Sequence, residues 1–275
     1  MPDVLRPMRD TAAELDRVDD LLTIAYETSS RRRELELYLA VQPDGWFVIE
    51  QDDAPVAVGG CIAYGPFCWL GLVATHPDVR GRGLARRISQ HLVEWAREHG
   101  CCTVALDASA PGRPVYERLG FETIGWTIEL APDPAELRAE GARAKRATPA
   151  DVDEIVALDP AFFGGDRHVL LRSLADPCFV TRDRAGRVGG YLFARERLIG
   201  PGMAPDADAA AALVRAALAL PGSRRLLVPA ESAHLTTLES LGLVEQRRLA
   251  HMRLGRLELP GARDRLIAEL SFATG

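Results

Sequence analysis

Residues 75–87 read THPDVRGRGLARR, four arginines and two glycines set directly behind an uncharged run that ends at Ala74. Three readings are open: an arginine patch for nucleic acid, a surface turn, or a loop that holds phosphates. The flanks bear on the choice. Upstream, FCWLGLVAT (67–75) is apolar and fits a buried strand. Downstream, Leu84, Ile88, Leu92 and Trp95 recur at helical spacing until Gly100. A loop between such a strand and helix aims several backbone N–H groups, and the positive end of the helix dipole, at one point. Gly81 and Gly83 let a ligand approach the backbone with no Cβ in the way. Arg80, Arg82, Arg86 and Arg87 can add charge-assisted contacts to phosphate oxygens. Together these features suit a pyrophosphate. No Gly-Lys-Ser/Thr triplet follows and G-x-G-x-x-G is not completed, so the stretch is neither a Walker loop nor a dinucleotide fingerprint.

The chain of 275 residues is long for one domain and suits two of roughly 130 each. Its formal charge of −6 and pI near 5.6 argue against a surface built for nucleic acid. Aromatic residues, at 6%, offer few stacking platforms. The five cysteines (61, 68, 101, 102 and 178) have no metal-site spacing and make a poor disulfide framework, so no metal is expected and the thiols read as reduced, in a cytoplasmic protein. The N-terminus has no apolar signal region. Val56–Ala74 carries no charge over nineteen residues, nominally enough for a membrane helix. Gly59, Gly60, Gly65, Pro66 and Gly71 interrupt it, and two buried strands around a Gly-Pro turn fit better.

The chain echoes itself. RDTAAEL (9–15) resembles RATPADV (146–152), VGG recurs at 58–60 and 188–190, and YERLGFE (116–122) resembles LESLGLV (238–244). Their shared order, with spacing that shrinks from 137 to 130 to 122 residues, points to two copies of one domain. The expected layout is a first domain at 1–130, a Pro- and Ala-rich linker at 131–145, and a second domain at 146–275 with a C-terminal tail. Within the first copy, the spacing predicts a helix over TAAELDRVDDLLTIAYE, a hairpin turning at DDAP, the strand FCWLGLVAT, and the helix from Leu84. A strand CTVALDA, a short helix Pro114–Leu119 closed by Gly120, and a final strand ETIGWTIEL follow. The fold class is α/β, a mixed central sheet flanked by helices.

Arg80, Gly83 and Ala85 fit the pattern R-x-x-G-x-A. This resembles the pyrophosphate loop of the GNAT superfamily, the acyl-CoA-dependent N-acetyltransferases, whose signature is Q/R-x-x-G-x-G/A. LVATHPDVRG before it and PVYERLGF after it stand in the order that superfamily shows, and the two-copy layout resembles tandem GNAT proteins whose C-terminal domain is degenerate. The resemblance implies the GNAT fold and acetyl-CoA as acyl donor. By it, Val73, Ala74 and Thr75 would hold the pantetheine arm, one of their amides serving as oxyanion donor. Arg80, Gly81, Arg82, Gly83, Leu84, Ala85 and Arg86 would enclose the pyrophosphate, mainly through backbone amides. Tyr116 falls on the family's acid tyrosine, whose phenol donates to the departing thiolate; the alternative is a ring packed under the sheet. For the base, Asp107 and Glu50 are candidates, and either can instead cap a strand or turn. His76, before Pro77, reads as structural. Arg31, Arg32 and Arg33 either recognise an anionic group on the acceptor or pair with Glu34 and Glu36 on a solvated helix face.

Where the first copy reads HPDVRGRGLARRI, the second reads APDADAAAALV (204–214): the arginines and both glycines are gone, and Asp206 and Asp208 would repel a pyrophosphate. Leu238 stands where the first copy has Tyr116. The second domain should keep the fold without binding acyl-CoA. The expected activity is N-acetyl transfer in the first domain to a small-molecule amine, with no nucleic-acid or membrane partner and either a monomer or a homodimer. Acetylation of a protein or peptide, and a non-catalytic acyl-CoA sensor, are the alternatives.

Overall fold

In the first unit, strand β1 (Val4–Pro7) leads into α1 (Ala12–Tyr26), which Thr11 caps by accepting from the Glu14 N–H at 3.3 Å. The computed structural model describes residues 3–133, 135, 144–222, 224–255 and 258–275. Leu15, Val18, Leu21 and Leu22 form the buried face of α1, as their spacing predicts. Helix α2 (Arg32–Val41) adds Leu35, Tyr38 and Leu39, with the Tyr38 ring stacked on Trp46 at 5.7 Å. Strands β2 (Trp46–Gln51) and β3 (Ala54–Ala63) form the expected hairpin. Its turn residues Asp52 and Asp53 have φ of 52° and 61°, a region aspartate enters more readily than most residues. Strand β4 (Phe67–Thr75) returns antiparallel to β3, so the uncharged run at 56–74 is a core hairpin. Among the described residues no helix is long and apolar enough to cross a membrane.

A 3-10 turn at Pro77–Val79 and the glycine-arginine loop lead into α3 (Leu84–Glu98), which buries the predicted stripe of Leu84, Ile88, Leu92 and Trp95. Each large aliphatic side chain fully buried this way contributes about 1.5–3 kcal/mol before entropy is counted. Strand β5 (Thr103–Ala108) lies parallel to β4, and α4 (Arg113–Glu117) follows it. The strand order here is β1-β2-β3-β4-β5.

Strand β6 (Glu122–Pro132), expected to complete this sheet, belongs from Thr123 onward to the second unit. That unit contains β7 (Lys145–Arg146), α5 (Pro149–Leu158), α6 (Pro160–Phe163), α7 (His168–Ser173), β8 (Cys178–Arg182) and β9 (Val188–Ala194). It continues with β10 (Leu198–Met203), α8 (Ala207–Leu218), β11 (Arg225–Pro229), α9 (Leu235–Ser240), β12 (Leu243–Gly255) and β13 (Leu266–Ala268). There β6 runs antiparallel to β11, Thr127–Leu130 against Pro229–Leu226. Conversely β12 from Met252 on is grouped with the first unit, as the neighbour of β5. A sequence pattern dictates which face of a strand is buried, but not which of two similar sheet edges it joins.

Leu192, Ile199, Leu213, Val214, Leu226, Val228 and Leu238 are in the core of the second unit. Cys61, Cys68, Cys101 and Cys178 are buried, Cys102 is exposed, and all five thiols are free. Most of the expected linker at 131–145 lies outside the described residues.

Candidate active site

Pairing between β4 and β5 covers only Phe67–Trp69 against Thr103–Ala105, and beyond that point the strands are no longer paired with each other. Among the described residues no strand pairs with the freed edge of β4. A bulge shapes that edge. Gly60 pairs with Gly71 but Val58 with Ala74, so β4 has one extra residue, and Leu72 takes a φ of 51° that a side chain disfavours. The His76 N–H donates to the Val56 carbonyl at 2.8 Å. By the alternation of an antiparallel ladder, residues 74 and 76 direct their backbone groups at β3, while 73 and 75 direct theirs into the opening. The Tyr26 hydroxyl, from the end of α1, donates to the Val73 carbonyl at 2.9 Å.

Below this edge the chain turns into α3. Gly81 and Gly83 have φ of 81° and 79°, and a Cβ built on either would meet nothing within 4 Å. Glycine is therefore favoured there by backbone conformation, not by lack of space. No side chain caps α3, so the N–H groups of Leu84, Ala85 and Arg86 head the helix without intrahelical acceptors, at its positive end. Three of the arginines bond acceptors of the protein's own chain. Arg80 donates to the Ala25 carbonyl in the last turn of α1 at 2.9 Å. Arg82 bonds Asp3 and Gln51, and Arg87 bonds the Asp3 carbonyl. These bonds tie the loop to α1, β2 and Asp3.

Asp107 is half-buried on β5, two residues past the last position paired with β4. Tyr116 is buried in α4, its ring 5.7 Å edge-on from Phe121. Burial pushes its phenol above the ordinary value; the neighbouring Tyr26 adds to this and Ser89 of α3 tempers it. Glu50 has both carboxylate oxygens on Arg6, which also bonds Glu14 at 2.7 and 2.8 Å. The Arg6 bond holds Glu50 below the usual carboxylate range, which makes it a weaker base than an ordinary glutamate. His76 accepts from the Asp78 N–H at 3.3 Å and caps the 3-10 turn. Arg31 pairs with Glu34 at 2.7 Å and Arg32 with Glu36 at 2.8 Å, matching the solvated-face alternative. Tyr26, Arg6 and Glu14 were not singled out from the sequence. Tyr26 closes a predicted helix, and nothing local signals that its hydroxyl reaches a strand 47 residues away.

The second unit has the same plan with the features closed. Pairing between β10 and β11 ends after Leu198–Ile199 against Arg225–Leu226. There β13 enters: Gly202 pairs with Ala268 and Met203 with Leu266, while the Glu269 N–H donates to the Leu227 carbonyl of β11 at 2.8 Å. Helix α8 is capped by Asp206, which accepts from the Ala209 N–H at 2.8 Å. Leu238 is fully buried in α9.

Residues 15–121 match the acetyltransferase (GNAT) family, and residues 155–268 match the acetyltransferase (GNAT) domain. The uncharacterized N-acetyltransferase YitH of Bacillus subtilis (strain 168) is 29% identical over 216 residues, 74% of this chain and 75% of that protein. A glucosamine 6-phosphate N-acetyltransferase of Trypanosoma brucei brucei is 43% identical over 49 residues, 18% of this chain and 33% of that one. Among solved structures, a putative acetyltransferase from Pyrococcus horikoshii aligns with a TM-score of 0.87 at 22% identity, over 99% of this chain and 96% of that one.

Proposed function

Because the chain belongs to the GNAT family of acetyltransferases, with two such domains in tandem, we propose that its first domain, about residues 1–130, moves an acetyl group from acetyl-CoA directly to a primary amine of a small molecule. The observation that carries this reading is the freed edge of β4 leading into an uncapped helix start, two features that the second unit closes with β13 and Asp206. The small acceptor is supported by the local likeness to a glucosamine 6-phosphate N-acetyltransferase. Residues 131–145 act as the linker, and residues 146–275 form a domain that keeps the fold without binding acyl-CoA.

Acetyl-CoA supplies a thioester, an acyl group already activated toward amines. Val73 and Thr75 offer the opening their backbone groups, with Ala74 tied to β3 between them. The Val73 N–H donates to the acyl oxygen as charge develops there. Arg80 to Arg86 form the pyrophosphate cradle, with the N–H groups of Leu84, Ala85 and Arg86 receiving the phosphate oxygens and Gly81 and Gly83 shaping the turn. Tyr116, whose phenol is protonated at neutral pH, holds the proton that the leaving sulfur needs. Asp107, rather than the Arg6-bound Glu50, takes the proton that the amine must lose before it attacks.

The test is free CoA release across a panel of primary amines, run on the wild type and Tyr116→Phe. We expect Tyr116→Phe to bind CoA normally and to lose roughly 100-fold or more in kcat on the best acceptor. Equal turnover by the two proteins would remove Tyr116 from the mechanism. Binding of CoA with no wild-type turnover on any amine would favour the sensor alternative.

A further inference from the structure

Tyr26 is 41% exposed as a residue, and its hydroxyl rests on the Val73 carbonyl at 2.9 Å. That carbonyl faces the opening, on the bulged stretch of β4, where an extended partner would find a hydrogen-bond acceptor. The second unit shows such an edge taking an extended partner, since β13 pairs with Gly202 and Met203 past the point where β10 leaves β11. In the first unit a side chain stands in at one acceptor of the equivalent edge.

We propose that Tyr26 is a displaceable stopper: its hydroxyl holds the Val73 carbonyl until an amide N–H of the acyl-CoA arm takes that acceptor, and the phenol then turns away from the edge. The inference rests on the acyl-CoA reading given above. The backbone around Tyr26 is fixed, so the side chain is what moves. Arg80 grips the Ala25 carbonyl, and the Glu27 N–H closes the helix on the Thr23 carbonyl. In its observed position Tyr26 lies close enough to Tyr116 to contribute to its raised pKa. Tyr26 is thus a positioning residue linking arrival of the arm to the reacting end of the cleft.

A stopper and a structural tie predict opposite signs. If the bond only supports β4, removing the hydroxyl weakens arm binding; if the hydroxyl competes with the arm, removing it strengthens binding. The experiment is calorimetric titration of wild type and Tyr26→Phe with CoA and with adenosine 3′,5′-bisphosphate, the part of CoA that lacks the arm. Loss of one competing hydrogen bond should tighten CoA binding by about fivefold and leave the bisphosphate unchanged. Tyr26→Leu, which also lacks the hydroxyl, should show the same direction. Unchanged or weaker CoA binding in folded Tyr26→Phe overturns the stopper, and so does an equal shift for the bisphosphate, which places the effect at the loop. Failure of the wild type to bind CoA at all overturns the acyl-CoA reading instead.

Discussion

The two helix starts invite an exchange. Asp206 caps α8, whereas α3 begins at Gly83 with no side-chain cap. Gly83→Asp writes the second domain's cap into the first. At φ 79° a residue with a Cβ costs about 1–2 kcal/mol, with aspartate at the low end. A capping carboxylate returns about 1 kcal/mol. Because an added Cβ meets nothing within 4 Å, the fold should lose little, and Tm should move by a few degrees at most. Binding should change far more. The new carboxylate takes a helix-head N–H worth about 1.5–3 kcal/mol to a charged ligand. It also sits roughly 5 Å from phosphate charge, which costs about 1–3 kcal/mol at effective dielectric constants of about 20–60. Together these amount to a loss of roughly two to four orders of magnitude in CoA affinity. Calorimetric titration with CoA is the assay, with Gly83→Ala as the control for backbone strain without charge. Asp206→Ala is the reciprocal change, expected to cost about 1 kcal/mol of stability and no CoA affinity. If Gly83→Asp melts normally and binds CoA within threefold of wild type, the pyrophosphate does not sit on the start of α3.

Arg6 joins Glu14 and Glu50, whose side chains are 7% and 16% exposed, so Arg6→Met should cost about 3 kcal/mol in urea melts at pH 7 by taking the cation from Glu50 and leaving Glu14 only its Arg9 contacts. The Arg6 bond lowers the folded-state pKa of Glu50, so its contribution is complete above the unfolded value near ~4.3 and fades as pH falls through the lowered one; a gap between variant and wild type that stays constant from pH 7 down to about 3.5 would refute this origin. A chain cut after residue 130 loses the stretch of β12 grouped with the first unit and leaves the outer edge of β5 unpaired, so it should self-associate on size exclusion. A monomer of unchanged Tm would show that this stretch of β12 is dispensable.

The sequence makes local features legible. The strand, loop and helix around THPDVRGRGLARR are visible because apolar spacing and two glycines act within a few residues of each other. The difference between the copies at this loop is visible for the same reason, since aspartate and alanine replace arginine and glycine and Asp206 caps α8. Long-range pairings are not legible. Arg6 meets Glu50 across 44 residues, Tyr26 meets Val73 across 47, and β13 pairs with β10 from the far end of the chain. Each depends on which edge or face the folded chain brings near, and periodicity says nothing of that. The arginines show a subtler difference. Their charge invites a ligand role, yet Arg80, Arg82 and Arg87 satisfy acceptors of the protein's own chain.

The parting of strands in both copies explains why loop and tail change together. A strand that leaves its neighbour exposes backbone N–H and C=O groups, and such groups cost about 1–3 kcal/mol each when buried without partners. Every copy of the fold therefore creates a demand for something extended in its opening. A domain that binds acyl-CoA can leave the demand to its ligand; in the first unit the Tyr26 hydroxyl serves one acceptor of the edge. Where the helix start carries its own aspartate, a segment of the same chain occupies the gap, as β13 does beside Gly202 and Met203. On the proposed reading, losing the glycines and gaining the tail strand are one change. Once no cofactor arrives, an opening that stays unfilled only lowers stability. The first unit keeps its glycines, and among the described residues no strand fills the corresponding edge of β4; on the proposed reading its activity needs both.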